Sequence, residues 1–285
     1  MSDSEVRVDS LTGRTVVISR GRQRRPNLPI DDCPFCPGGL EAPQRYSVRC
    51  FDNRWPSMPD GRCQIVLYSP DHDACFASLG SDGALDVVQL WSERTAALGA
   101  RPDIAYVLVF ENRGAEVGAT IHHPHGQIYA YDEIPDNPRR ELEAGTCALC
   151  DEVPGPRLVT ECGDWRAWVP AAAAWPYELV LAPTEHVGDL PDAAASHPDM
   201  AAVLTDVLGR LDRLFDAPMP YMMWIHQRPA DGHAWPTAHV HVHVAAFFRA
   251  PGIPRFVAAG ELGSGTYFNP VAPEVAAEHL RECRP

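Results

Sequence analysis

The segment from Thr120 to Tyr131 places three imidazoles and a carboxamide, His122, His123, His125 and Gln127, within six consecutive residues. Strand geometry would put His123, His125 and Gln127 on one face, roughly 6.6 Å between alternate side chains, where they could line one wall of a pocket. Pro124 lacks a ladder donor and Gly126 lacks a side chain to pack, so the run is suited to approaching a ligand rather than filling a sheet. His125 reads as a nucleophile, because a neutral imidazole attacks phosphorus near neutral pH when its second nitrogen is held by an acceptor. Gln127 can donate to a phosphoryl oxygen without surrendering a proton. It would stabilise charge and leave an intermediate intact for an incoming phosphate, whereas an acid would favour hydrolysis. A His-x-His pair on a strand also suits zinc, and spacing alone leaves both readings of His125 open. His122 has the opposite parity and is expected to face solvent.

Positioning such groups requires a framework, and the hydrophobic pattern supplies one that occurs twice. Residues 6–19 read as a hairpin, residues 46–53 and 63–69 as strands, and residues 104–111 as a strand leading through a Gly-containing loop into the histidine run. Leu85, Val88, Trp91 and Leu98 share one face of a helix starting near Ser81. The order then restarts. Strands are expected at 165–169, 178–182 and 221–226 and a helix at 200–215, with His239, His241 and His243 at the end. Cys33 and Cys147 lie 114 positions apart (33 to 147), as do His72 and His186, and Asn112 and His226; His123 and His239 lie 116 apart. This recurrence implies an α+β fold of two tandem copies, with mainly antiparallel sheet flanked by helices. The copies would span residues 1–131 and 142–285, joined by a 132–141 linker in which Pro135 and Pro138 suggest a loop entering a short helix.

A chain of 285 residues with 45% hydrophobic content can bury a large core without staples. The formal charge of −14 excludes nucleic acid as an expected partner, and the lack of any long uncharged apolar stretch excludes a membrane span. The first residues have no signal-peptide character, so a cytoplasmic location is expected. Arg20, Arg22, Arg24 and Arg25 form a local basic patch that suits a small anion or a solvated loop.

Nine cysteines include two Cys-x-x-Cys pairs. In a reducing compartment these favour metal over disulfides. Cys33, Cys36, His72 and His123 would make one tetrahedral Cys₂His₂ zinc site, and Cys147, Cys150, His186 and His239 a second at the same spacing. Both would be closed and structural.

Phe110 to Gly114, the Gly-containing loop, and His123 to Gln127 together resemble the active-site signature of the galactose-1-phosphate uridylyltransferase family in the histidine-triad superfamily. The segments 19–26, 33–36, 69–72, 175–178 and 239–270 fit as well. The resemblance implies that His125 becomes uridylylated and that Gln127 contacts the transferred phosphoryl group. Arg22 and Arg25 would bind the diphosphate, and Asn53, Asn112 and Thr120 would serve the nucleotide. The implied substrates are UDP-glucose and galactose 1-phosphate, with UDP-galactose and glucose 1-phosphate as products. Arg255, Phe256 and Glu261 align with the hexose-binding stretch, which in the family crosses to the other subunit of a homodimer; Arg255 stands where the family has Lys. Glu141, His226, His241 and His243 match an iron- or zinc-type site of some members. His239 points instead to the repeat-derived zinc site, so the metal content of the second copy stays open.

Overall fold

The computed structural model describes residues 4–20 and 33–284. Strands β1 (Ser4–Val8) and β2 (Thr15–Ser19) pair with each other as a separate antiparallel hairpin. The remaining large elements are β3 (Arg49–Asp52), β4 (Cys63–Leu67), α1 (Gly80–Gly99), β5 (Tyr106–Arg113) and β6 (His125–Tyr131), then α2 (Asp136–Leu142) and α3 (Ala148–Asp151). They continue with β7 (Leu158–Cys162), β8 (Trp165–Trp168), β9 (Leu179–Pro183), α4 (His197–Leu214), β10 (Tyr221–His226) and β11 (His241–Ala246). The chain closes with β12 (Phe248–Ala250), β13 (Ile253–Pro254), α5 (Ala259–Ser264) and α6 (Pro273–Glu282).

Nine strands form one sheet in the order β3-β4-β6-β5-β10-β11-β9-β8-β7, and every pairing is antiparallel. The inner strands β4-β6-β5 and β9-β11-β10 mirror each other about the β5–β10 pair. In that pair Phe110 lies opposite Trp224. These two residues are 114 positions apart, the repeat spacing, so a local two-fold passes between a residue and its own counterpart.

The strands alternate between two unlike faces. Val107, Val109, Ile128, Ala130, Leu179, Leu181, Val242 and Val244 turn to one side, where they meet Val88 and Trp91 of α1 and Leu204, Val207 and Leu208 of α4. Both helices carry their buried residues at three- and four-residue spacings, which produces one apolar stripe each. Complete burial of a side chain such as Leu208 or Leu181 contributes about 1.5–3 kcal/mol, and this layer fixes the register of the strands. The other face carries only small apolar patches, among them Phe35, Ala42, Ile65 and Leu67. All the chemistry-bearing histidines belong to that side.

One expectation changes. The strand expected over residues 120–131 starts at His125, because Pro124 has no amide hydrogen and its carbonyl is taken by the Tyr68 amide at 3.1 Å. His123 therefore precedes the strand, while His125 and Gln127 share its open face. Elsewhere the strand ends differ from expectation by a few residues, as for 46–53 against Arg49–Asp52, whereas residues 221–226 match. The sheet is also continuous between the copies. No helix among the described residues is long and apolar enough to cross a membrane.

Candidate active site and metal centres

On β6, His125 pairs with Leu67, and Gln127 lies between Ile65 of β4 and Phe110 of β5. Continuing the β5–β6 register brings Asn112 level with His125, on the same open face. His125 Nδ1 donates to the His123 carbonyl at 2.7 Å. That bond selects the tautomer whose Nε2 carries the lone pair. The Phe35 ring packs edge-on to His125 at 5.2 Å and to His123 at 6.2 Å, limiting how either ring can turn.

Gly126 separates the two polar side chains, and its backbone has a close neighbour. A Cβ built there would lie 2.1 Å from the Tyr68 hydroxyl. Tyr68 belongs to a polar group under the strand: Tyr221 donates its hydroxyl to Glu111 Oε1 at 2.9 Å, within a buried layer that includes Trp91. Burial pushes the Glu111 carboxyl up to about 7, against the opposing hydrogen bond from Tyr221.

Cys33, Cys36, His72 and His123 converge, with one ligand atom from each inside a 4.8 Å sphere of mutual distances. Cys36 Sγ lies 3.6 Å from both His72 Nδ1 and His123 Nδ1. Zn–S bonds of about 2.3 Å and Zn–N bonds of about 2.1 Å at a tetrahedral angle separate sulfur and nitrogen by about 3.6 Å. The donor set therefore fits zinc. His123 Nε2 donates to the Ser69 carbonyl at 2.8 Å and meets the Tyr46 hydroxyl at 2.8 Å. Tyr46 also donates to the Phe35 carbonyl at 2.7 Å, tying the Cys turn to the histidine. Such outer hydrogen bonds hold a ligating ring in place.

The second set repeats this arrangement. His239 Nδ1 lies 3.4 Å from Cys147 Sγ and 3.6 Å from Cys150 Sγ, and His186 Nδ1 lies 3.1 Å from Cys150 Sγ. His239 Nε2 donates to the Pro183 carbonyl at 3.1 Å, and Pro183 stands 114 positions after Ser69. Burial, with His186 adding to it, pushes the His239 imidazole down to about 4, leaving it neutral and ready to ligate.

A third set is distinct from the second and shares no residue with it. Glu141 of α2 meets His226 Nδ1 at 2.7 Å and His241 Nε2 at 3.5 Å, with His243 Nε2 at 3.9 Å. His241 Nδ1 donates to the His239 carbonyl at 2.7 Å. Despite burial, hydrogen bonds from His226 and His241 hold the Glu141 carboxyl well below the usual carboxylate range. Burial and the adjoining rings push His243 far down. These nitrogen and oxygen donors suit a harder divalent ion than the thiolate sets do. His239 thus falls in one candidate cluster, and His241 and His243 in another.

The other expected residues are placed as follows. Arg22 and Arg25 lie outside the described residues. Asn53 follows β3 directly, and its side-chain oxygen accepts from the Trp55 amide at 2.8 Å. Thr120 lies in the loop before His123, and His122 is exposed with its ring 5.5 Å from His72. Arg255 and Glu261 pair with each other in a buried contact of 2.5 Å, and Glu261 also accepts from the amides of Ala258 and Phe268. Arg255 lies over the Trp175 ring, and Phe256 is exposed. All these contacts stay within the second half. Sequence reasoning missed Tyr46, Phe35 and the Tyr68–Glu111 group. The parity of Glu111 against Phe110 and Asn112 was the one signal available.

An α+β fold with a continuous antiparallel sheet, and a polar histidine strand beside a Cys₂His₂ set, suit a nucleotidyltransferase. The profile of "Galactose-1-phosphate uridyl transferase, N-terminal domain" matches residues 52–135, and that of the C-terminal domain matches residues 151–284. A galactose-1-phosphate uridylyltransferase of Thermotoga maritima is 33% identical over 98% of both chains. One of Streptomyces lividans is 36% identical over 99% of this chain and 88% of its own. The chain belongs to the galactose-1-phosphate uridylyltransferase family, whose reaction is uridylyl transfer. A solved uridylyltransferase superposes with a TM-score of 0.88 at 27% identity, covering 98% of each chain. An Arabidopsis thaliana ADP-glucose phosphorylase with bound ADP-glucose gives 0.79 at 25% identity, covering 98% of this chain and 99% of that one.

Proposed function

We propose that the protein transfers UMP from UDP-glucose to galactose 1-phosphate by double displacement at His125. Nε2 attacks the α-phosphorus, an N–P bond forms, the P–O bond to the leaving group breaks, and glucose 1-phosphate departs. The phosphate oxygen of galactose 1-phosphate then attacks the phosphoramidate, releasing UDP-galactose and restoring the imidazole. The first step trades a phosphoanhydride bond for a phosphoramidate and the second reverses that trade, so the bonds balance overall, and positioning and charge stabilisation are the main requirements. Gln127 donates to the phosphoryl oxygens, while Asn53, Asn112, Thr120, Arg22 and Arg25 hold the nucleotide and diphosphate.

The hydrogen bond from His125 Nδ1 to the His123 carbonyl carries this reading, since it leaves Nε2 as the basic nitrogen on the open face. Zinc on Cys33, Cys36, His72 and His123 would fix that carbonyl, and zinc on the Cys147 set would tie the second half in the same way. Glu141, His226, His241 and His243 hold a further ion, with iron or zinc both compatible. Phe256, Leu262, Tyr267 and Phe268 expose large apolar surface in one short segment. They cover a second copy of the chain in a homodimer, and Arg255, Phe256 and Glu261 belong to that sugar-binding end. Residues 1–131 and 142–285 act as the two units.

A second reading, a nucleotidyl phosphorylase, draws support from an Arabidopsis thaliana ADP-glucose phosphorylase that is 26% identical over 98% of this chain.

Intact mass after mixing with UDP-glucose distinguishes these readings. A uridylyl-sized gain, absent in His125→Asn and discharged by galactose 1-phosphate, supports the transferase. Labelling by ADP-glucose and discharge by inorganic phosphate supports the phosphorylase. No gain with either donor, metals being present, overturns covalent catalysis at His125.

A further inference from the structure

The second half contains a cavity of about 310 Å³ on the open face of the sheet. Glu141, His226, His241 and His243 all reach it, while Pro138, Leu142, Leu149, Val180 and Ala238 give the rest of its wall a largely hydrocarbon character. By the repeat spacing, His241 and His243 occupy the places that His125 and Gln127 hold in the first half. The cavity therefore occupies the position equivalent to the nucleotide pocket, with a different floor.

That floor differs from the thiolate centres in one chemical respect. A Cys₂His₂ set closes a tetrahedral ion completely, whereas divalent ions bound only through nitrogen and oxygen commonly take five or six ligands. With one oxygen from Glu141 the four residues leave one or two positions, and with both oxygens a six-coordinate ion still has one; the space adjoining all four residues is the cavity. His243 adds a second observation. Both of its ring nitrogens are buried without a hydrogen-bond partner, and its ring is stacked on Trp224 at 4.9 Å. Three neutral imidazoles and one carboxylate leave a divalent ion with net positive charge, which favours an anionic head group. The apolar wall favours a hydrocarbon body.

We propose that this cavity is a binding site for small apolar carboxylates, whose head group completes the coordination of the ion on Glu141, His226, His241 and His243. The inference rests on the reading of those residues as a metal centre, so metal content is measured alongside binding. The site is separate from the uridylyl-transfer pocket and does not require its chemistry.

The test uses the full chain loaded with cobalt(II), titrated with acetate, butyrate and hexanoate. The two thiolate centres are closed, and their sulfur-to-cobalt absorption serves as an internal reference. The expected result is three cobalt ions per chain and a saturable change in the d–d bands of the nitrogen–oxygen centre alone. Affinity should rise about fourfold per methylene while the cavity has room. Ala144→Trp, at the exposed rim, should weaken hexanoate at least tenfold and leave cobalt content unchanged. Glu141→Gln should lower the content to two. Three ions with bands that no carboxylate alters would overturn the proposal and leave the metal centre standing. An affinity that is flat along the series, or unaffected by Ala144→Trp, would remove the cavity from it. Two ions per chain in the unaltered protein would overturn both.

Discussion

His125 and His241 make the same hydrogen bond: each Nδ1 lies 2.7 Å from the carbonyl oxygen two residues earlier, on His123 and on His239. Both carbonyls belong to residues whose own rings reach a cysteine pair. The neighbours differ. Gln127 follows His125 on its face, and His243 follows His241 beside Glu141 and His226. On the proposed reading one ring attacks and the other ligates.

The amide at position 127 is expected to act in the transition state. Gln127→Ala should lower kcat on the order of 10²–10³-fold, the loss typical of one donor to a developing charge, with a small change in KM. A mainly KM-directed effect in steady-state assays would show that Gln127 serves ground-state binding instead.

Gly126→Ala introduces a methyl where the Tyr68 hydroxyl stands, at 2.1 Å from the new Cβ. Stability should fall by about 1–3 kcal/mol, and kcat should fall with it as His125 and Gln127 shift. Adding Tyr68→Phe removes the colliding oxygen and should recover part of both losses. Strictly additive effects in the double-mutant cycle would show that the two positions do not meet.

Glu111 gives a pH dependence of definite sign. Its folded value of about 7 exceeds the 4.5 of the free group, so between those values the folded protein keeps a proton that the unfolded chain has lost. Stability therefore falls as pH rises through that window, by about 3 kcal/mol in all. Glu111→Gln has no proton to lose. Urea unfolding from pH 5 to 8 should show the parent losing stability relative to the variant, with the difference levelling above pH 7. Parallel curves would mean that the carboxyl is not perturbed.

Cys36→Ser and Cys147→Ser should each release one zinc and lower the unfolding temperature, because both centres join a loop to the sheet. Only Cys36→Ser should also reduce kcat strongly, through the His123 carbonyl that orients His125. Zinc analysis and kinetics on the same samples would separate the two centres. Equal kinetic losses would contradict the division of roles.

The convergence of the two Cys/His clusters was legible in the sequence because cysteine and histidine are scarce and recur at nearly one interval, as with Cys33 and Cys147. The helices were legible from residues such as Leu85, Val88 and Trp91, and the strands from alternation. Joining of the copies was not legible, since β5 meets β10 through backbone bonds between residues such as Val109 and Ile225, and no local pattern announces a long-range pairing. Tyr46 and Phe35 escaped notice for a related reason: their roles exist only once the Cys turn folds against His123. Arg255 and Glu261 look available to a sugar in sequence, whereas folding turns each toward the other.

The opposition of Phe110 and Trp224 means that the chain resembles two subunits fused across their own interface. In a true homodimer every substitution appears twice, and a residue useful in one place must be tolerated in its mirror image. Fusion lifts that constraint. One half can carry an amide at position 127 while the other carries an imidazole at position 243, and each pocket is free to differ without harming its counterpart.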